Sequence, residues 1–231
     1  EIYTLSDTLS LHDALPICSG RGNVAGRWWC ALALAALMAG FVAVRVWGFS
    51  ADPPPSMPNG RATLELIVEP IAKAHEARNW ALFGAFSTHP ADNYQFWRPQ
   101  SPAWVYPLAW FFKASGTSTL HLHAFALLGS ALGYAVFLWL ARHRLRGIPF
   151  LATALFFGFN CYQVAYSRVG LLEPQVVALV LLSALSLVLA ERRPLALCAA
   201  LIAFALAFFT KQSAAFFAPG LLFATPTTSA A

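Results

Sequence analysis

Residues 120–193 read LHLHAFALLGSALGYAVFLWLARHRLRGIPFLATALFFGFNCYQVAYSRVGLLEPQVVALVLLSALSLVLAERR. The apolar runs Leu120–Ala141, Ile148–Tyr166 and Leu171–Ala190 are parted by the connector RHRLRG and the turn SRVG, and ERR follows. A helix rising 1.5 Å per residue crosses the hydrocarbon of a bilayer in about 20 residues, so each run suits one crossing. Outward in both directions lie two more such runs, Trp28–Phe49 and Pro194–Leu222. The expectation is an all-α integral membrane protein, a polytopic helix bundle with spans at 28–49, 120–141, 148–166, 171–190 and 194–222 and a long loop at 50–119.

Composition agrees with that reading. Of the 231 residues 58% are hydrophobic and 11% charged, with a mean hydropathy of +0.60. A soluble domain needs more charge to cover its surface, whereas a bilayer is itself apolar solvent. The net charge of +5 would suggest nucleic acid in a soluble chain. Here the arginines sit at span boundaries, so a membrane is the partner expected and nucleic acid is not.

Arginine placement orients the spans. With Arg21 and Arg27 in the cytoplasm, loop 50–119 falls outside, Arg142, Arg144 and Arg146 inside, SRVG outside, and Arg192 with Arg193 inside. Every basic connector lands on one side. In the loop, Leu64, Ile67, Ile71, Ala74 and Leu82 follow near-helical spacing. The stretch YQFWRPQSPAWVYPLAWFF is dense in aromatics and prolines. Such density favours the headgroup level, so both stretches read as amphipathic helices lying along the outer face.

The ends stand apart. Residues 1–20 have neither the basic start nor the apolar centre of a signal peptide, and TLSLHDALPI resembles translated sequencing-adapter sequence. That stretch is expected to be non-native, His12 and Asp13 take no role, and the tail 223–231 is read as cut short. The transmembrane unit then runs 21–222. Cys18, Cys30, Cys161 and Cys198 form no CxxC or Cys/His metal pattern and read as small buried side chains. Phosphate-loop, dinucleotide, HExxH and GxSxG motifs are absent. His121 and His123 point apart at i,i+2 on a helix and suggest no metal pair.

Ionisable groups within or beside the spans are the informative ones, because charge in hydrocarbon is costly. Arg168 and Glu173 flank the turn SRVGLLEP, and Lys211 sits in FFTKQ. Counted from Pro194, Lys211 lies about 25 Å along its helix and approaches the outer face. All three then share the leaflet of the long loop, which describes a polar cavity at the outer boundary. The plainer alternative is that Arg168 and Glu173 cap helices while Lys211 pairs with a carbonyl.

EPIAKAHEARNWALFGAF resembles the start of the first extracytoplasmic loop of GT-C glycosyltransferases. The groups it is most similar to are the dolichyl-phosphate-mannose protein mannosyltransferases and the bacterial aminoarabinose (lipid A) transferases. WRPQSPAWVYPLAWFFKASG, YSRVGLLEP and AFFTKQSAAFFAPG resemble, in order, the family's basic-Pro stretch, its next outside turn and its Thr-Lys-Gly helix. The likeness spans roughly Arg45 to Leu222.

The resemblance implies a GT-C-like bundle that moves a sugar from a polyprenyl-phosphate donor to a hydroxyl on a lipid, glycan or protein. It places the chain in a bacterial cytoplasmic membrane with the active side extracytoplasmic. Glu69 falls where the family has its catalytic Asp, with Pro70 in place of the family's second acidic residue. Arg98, Arg168 and Lys211 fall where donor phosphate is bound, and Arg78 and Glu173 elsewhere in the site. Glu173 matches a residue that is sometimes a metal ligand; Trp97 stands where its acidic partner would be, so a divalent metal is left open. Family members are longer, so the resemblance also implies an incomplete chain. The chemistry is coherent: phosphate leaves readily, so the protein must orient or deprotonate an acceptor hydroxyl and stabilise charge on the departing phosphate. A transporter or flippase subunit, or a GT-C scaffold without activity, is the alternative.

The orientation is open to direct test. A cysteine placed in the connector Arg142–Arg146 should escape an impermeant thiol reagent added to intact cells, while one at Ala91 should react. Labelling of the connector would reverse the topology.

Overall fold

A computed structural model describes residues 24–47, 74–86, 101–190 and 192–224. Among them every regular element is helical: α1 (Val24–Val46), α2 (74–83), α3 (Pro102–Ser115), α4 (Thr119–Arg144), α5 (Gly147–Phe159), α6 (Cys161–Arg168), α7 (Glu173–Ala190), α8 (Leu195–Thr210), a 3-10 segment (Gln212–Phe217) and α9 (Ala218–Ala224). Trp28–Val46, Thr119–Arg144 and Glu173–Ala190 are long and apolar enough to cross a membrane, and α5 with α6 makes a fourth span if the bent pair counts as one. Large apolar side chains stay exposed along these elements, Leu195 at 82%, Phe156 at 76% and Leu201 at 64%. Water does not tolerate such a surface over a whole bundle, whereas lipid does.

The expected run 148–166 is not one straight helix. Asn160 ends α5 and caps α6, with a 42° bend between them. Its Oδ1 accepts from the Gln163 N–H at 2.9 Å, while Nδ2 donates to the carbonyls of Phe156 and Phe157 at 3.0 and 3.3 Å. A short amide side chain competes with the backbone for its own hydrogen bonds, which is why one Asn can close one helix and open the next.

The run 194–222 also differs from expectation. α8 stops at Thr210, Lys211 is extended at φ −154°, and a 3-10 segment follows. Its 16 residues reach about 24 Å at 1.5 Å per residue, short of the hydrocarbon thickness of about 30 Å. The cysteine expectation is corrected too. Cys161 and Cys198 are free but exposed, and Cys30 is disulfide-bonded. Residues on lipid-facing surfaces are apolar and exposed at once, so apolar surroundings in sequence do not imply burial.

Small residues set how the helices meet. A Cβ on Gly133 would lie 3.3 Å from the Cα of Ala178, and one on Gly129 would strike the Gln175 side chain. Gly129 and Gly133 form a GxxxG stripe that lets α4 and α7 approach backbone to backbone. Gln175 Nε2 adds a bond to the Phe125 carbonyl at 3.1 Å. Because later residues of α4 meet later residues of α7, the two helices run parallel. α8 returns antiparallel to α7, and Ser183 Oγ donates to the Ala200 carbonyl at 2.9 Å. The connectors holding Arg142–Arg146 and Arg192–Arg193 therefore lie at one end of the bundle. α2, α3, the start of α4 and the α6–α7 turn lie at the other.

α1 is tied in by Arg45, which is fully buried near the end of its helix. Nε donates to Ser167 Oγ at 2.7 Å, one terminal nitrogen to the Phe41 carbonyl at 3.1 Å and the other to the Gly158 carbonyl at 2.9 Å. The guanidinium also lies over the Phe41 ring, 3.4 Å from its centroid, and that ring stacks on Tyr134. Gly158 is required here, because a Cβ would sit 2.7 Å from the Tyr134 ring.

Arg45→Lys should destabilise the bundle although charge is kept. An ammonium cannot span three acceptors on three helices, and buried acceptors left unmet cost about 1–3 kcal/mol each. Unfolding in mixed SDS micelles should show a loss on the order of 3 kcal/mol, with Ser167→Ala costing less. An unchanged unfolding midpoint for Arg45→Lys would remove the residue from this role.

Candidate functional site

The end of the bundle opposite the basic connectors carries Arg168, Glu173 and Lys211. Glu173 opens α7 and Lys211 directly follows α8. Since α7 and α8 form an antiparallel hairpin, the start of one and the end of the other are neighbours. Lys211 Nζ stands 2.6 Å from Glu173 Oε1, with 29% and 32% of the two side chains exposed. The ion pair and the Ser183–Ala200 bond, roughly three turns apart, hold the hairpin in the same register.

The pair is satisfied on one side only. Glu173 Oε2 is buried and has no hydrogen-bond partner among the described residues. With one oxygen held by an ammonium, the other can accept a hydrogen bond from a hydroxyl once Oε2 turns out of its buried position. It can also orient or deprotonate that hydroxyl. The carbonyl pairing weighed for Lys211 is replaced by a carboxylate, a stronger partner for an ammonium. Lys211 is therefore already half-neutralised, so a phosphate bound there would compete with Glu173 for it.

The other residues expected at the site are placed as follows. Arg168 ends α6, half-buried, one short turn before Glu173. Arg78 lies exposed on α2 and lines a cavity of about 210 Å³ bounded by α2, the α3–α4 link and the first turn of α4. Neither Glu173 nor Lys211 lines that cavity. Glu69 and Arg98 lie outside the described residues, as do Pro70 and Trp97. Among the described residues no group of three or more His, Cys, Asp or Glu side chains is placed to hold a metal ion. His121 bonds through Nδ1 to Ser118 Oγ at 2.8 Å, while His123 is buried.

α2 and α3 pack on this end rather than standing off it. Ala77, Trp104, Val105, Leu108, Ala109 and Phe112 form one apolar cluster with Leu122 of α4 and Leu172 of the α6–α7 turn. Pro102 at the first helical position starts α3, where its missing N–H costs nothing. The helices expected in the long loop are thus docked on the same end as Glu173. Comparison with protein-family models, curated proteins and solved structures returns no match.

Hydropathy marks Arg45 only as a basic residue near the far end of the run Trp28–Phe49 and names no partner for it. An arginine inside an apolar run, more than a turn from the nearest polar residue, is the signal that could have marked it as buried and bonded.

A double-mutant cycle measures the pair. Glu173→Gln and Lys211→Met singly should each lower stability, and the double variant should recover part of the loss, with a coupling on the order of 1 kcal/mol. Strict additivity would show that the two side chains do not interact.

Proposed function

We propose that this protein is a membrane glycosyltransferase that uses a polyprenyl-phosphate sugar and works at the end of the bundle carrying α2 and α3. The observation that supports this reading best is the Glu173 carboxylate, held by Lys211 through Oε1 and unpartnered at Oε2. An acceptor hydroxyl would reach the Glu173 carboxylate as Oε2 turns outward, while Lys211 and Arg168 supply positive charge for a leaving phosphate. In this proposal Arg98 also holds the donor phosphate, Arg78 belongs to the site's surroundings, and Glu69 is the principal base. The lipid tail of the donor stays in the bilayer, which accounts for so hydrophobic an enzyme. The active end faces the extracytoplasmic side of a bacterial cytoplasmic membrane, following the arginine distribution.

A transport reading draws on a different observation. α5–α6 is bent at Asn160 and the last apolar run is broken at Lys211. Interrupted helices of this kind line substrate sites in many transporters. The two readings part on covalent chemistry: an enzyme splits the sugar–phosphate bond, a transporter does not.

The test is release of labelled sugar from polyprenyl phosphate by proteoliposomes of the full-length protein. Glu69→Gln should lower turnover by about 10²–10⁴-fold with donor binding little changed, and Glu69→Asp should retain activity. Near-normal turnover in Glu69→Gln would remove Glu69 from the chemistry. Movement of intact donor across the bilayer with no sugar release would favour transport instead.

A further inference from the structure

The cavity between α2 and the α3–α4 link has a chemistry of its own. Its floor is apolar, made by Phe112 and Leu122, and its rim carries Arg78, His75, Thr117 and Thr119. Among the described residues no acidic side chain lines it. His75 and Arg78 are i,i+3 and share one face of α2, while the acidic neighbour Glu76 is buried on another. Arg78 and His75 are exposed, and no hydrogen bond or ion pair engages either among the described residues. Hydroxyls and basic groups above an apolar floor suit a molecule that is anionic at one end and apolar at the other.

The surface around the cavity indicates where that molecule comes from. Trp80 of α2 packs edge-on against Tyr106 and Trp110 of α3, with centroids 5.9 and 5.5 Å apart, and Trp110 remains 60% exposed. Phe86 joins Tyr106 at 5.6 Å, and Lys113 Nζ lies 5.5 Å from the Trp110 ring centroid. Exposed Trp and Tyr beside basic side chains form the composition that settles at lipid headgroups. α2 and α3 thus present aromatics and cations together, with the cavity between them.

We infer that this cavity binds the phosphate headgroup of an anionic membrane phospholipid, with Arg78 and His75 on the phosphate and the first carbons of the lipid over Phe112 and Leu122. The inference shares Arg78 with the surroundings of the proposed transfer site but does not rest on that reading, because it needs neither a sugar donor nor Glu173 and Lys211. The bound lipid would tie α2 to the start of α4 from outside, across a gap that protein side chains leave open.

The experiment uses the full chain in phosphatidylcholine nanodiscs, titrated with acyl-labelled phosphatidylglycerol and, separately, acyl-labelled phosphatidylcholine. The wild type should bind phosphatidylglycerol at least tenfold more tightly. Arg78→Gln should remove most of that preference and leave phosphatidylcholine unchanged; Arg78 is exposed, so the fold should survive the substitution. Thr117→Glu places a carboxylate at the rim and should abolish the preference, with an unchanged helical circular dichroism melt as control. Equal binding of the two lipids by the wild type, or an undiminished preference in Arg78→Gln, would overturn the proposal. Displacement of phosphatidylglycerol by millimolar inorganic phosphate would assign the site to free phosphate rather than lipid.

Discussion

A guanidinium buried among apolar helices is the constraint around which the first half of the bundle is arranged. Removing Arg45 from water is costly unless its donors are met, and the chain meets them with groups from α1, α5 and α6. The Gly158 carbonyl is available only because Asn160 ends α5 just beyond it. In a continuous helix that carbonyl would accept from the residue four positions on. The bend and the buried charge therefore depend on each other: the bend frees an acceptor, and the arginine satisfies it. Phe41 and Tyr134 close the arrangement on the remaining side and extend it into α4.

The second half is organised by a different device. Where α1, α5 and α6 are joined by one many-armed side chain, α4, α7 and α8 are joined by the absence of side chains. Gly129 and Gly133 allow close approach, Ser183 ties α7 to α8, and the Glu173–Lys211 pair closes the hairpin at its open end. That last contact leaves Oε2 of the carboxylate buried with no donor among the described residues. If Glu173 takes the proposed role, the hairpin holds it in place, as loosely held groups lose most of their catalytic value.

Much of the architecture was legible from apolar runs and arginine placement. Hydropathy finds helices because burial in lipid acts on every residue of a span, so the signal accumulates. The proximity of Glu173 and Lys211 followed from the same logic, as a count along antiparallel spans puts both at one leaflet. The interruptions were not legible. One Asn in Ile148–Tyr166 barely lowers an averaged hydropathy, yet its side chain decides the local hydrogen bonding. Lys211 was read as a charge within a helix and is instead where α8 ends. Cys161 and Cys198 show the commonest error of the reading: in a membrane, apolar surroundings and burial are separate properties. Glu69 and Arg98 take their proposed roles from resemblance alone, and the geometry around Glu173 does not bear on them.

The parallel pairing of α4 and α7 has a consequence for how the protein is made. The glycine stripe of α4 leaves the ribosome well before its partner, because α5 and α6 must first return the chain to the end where α7 begins. During that interval the groove over Gly129 and Gly133 lacks α7 and is open to lipid or to any other small-residue surface nearby. Sequential insertion thus leaves a span already in the bilayer waiting for a later one. Correct assembly then turns on how quickly α7 arrives relative to a competing helix.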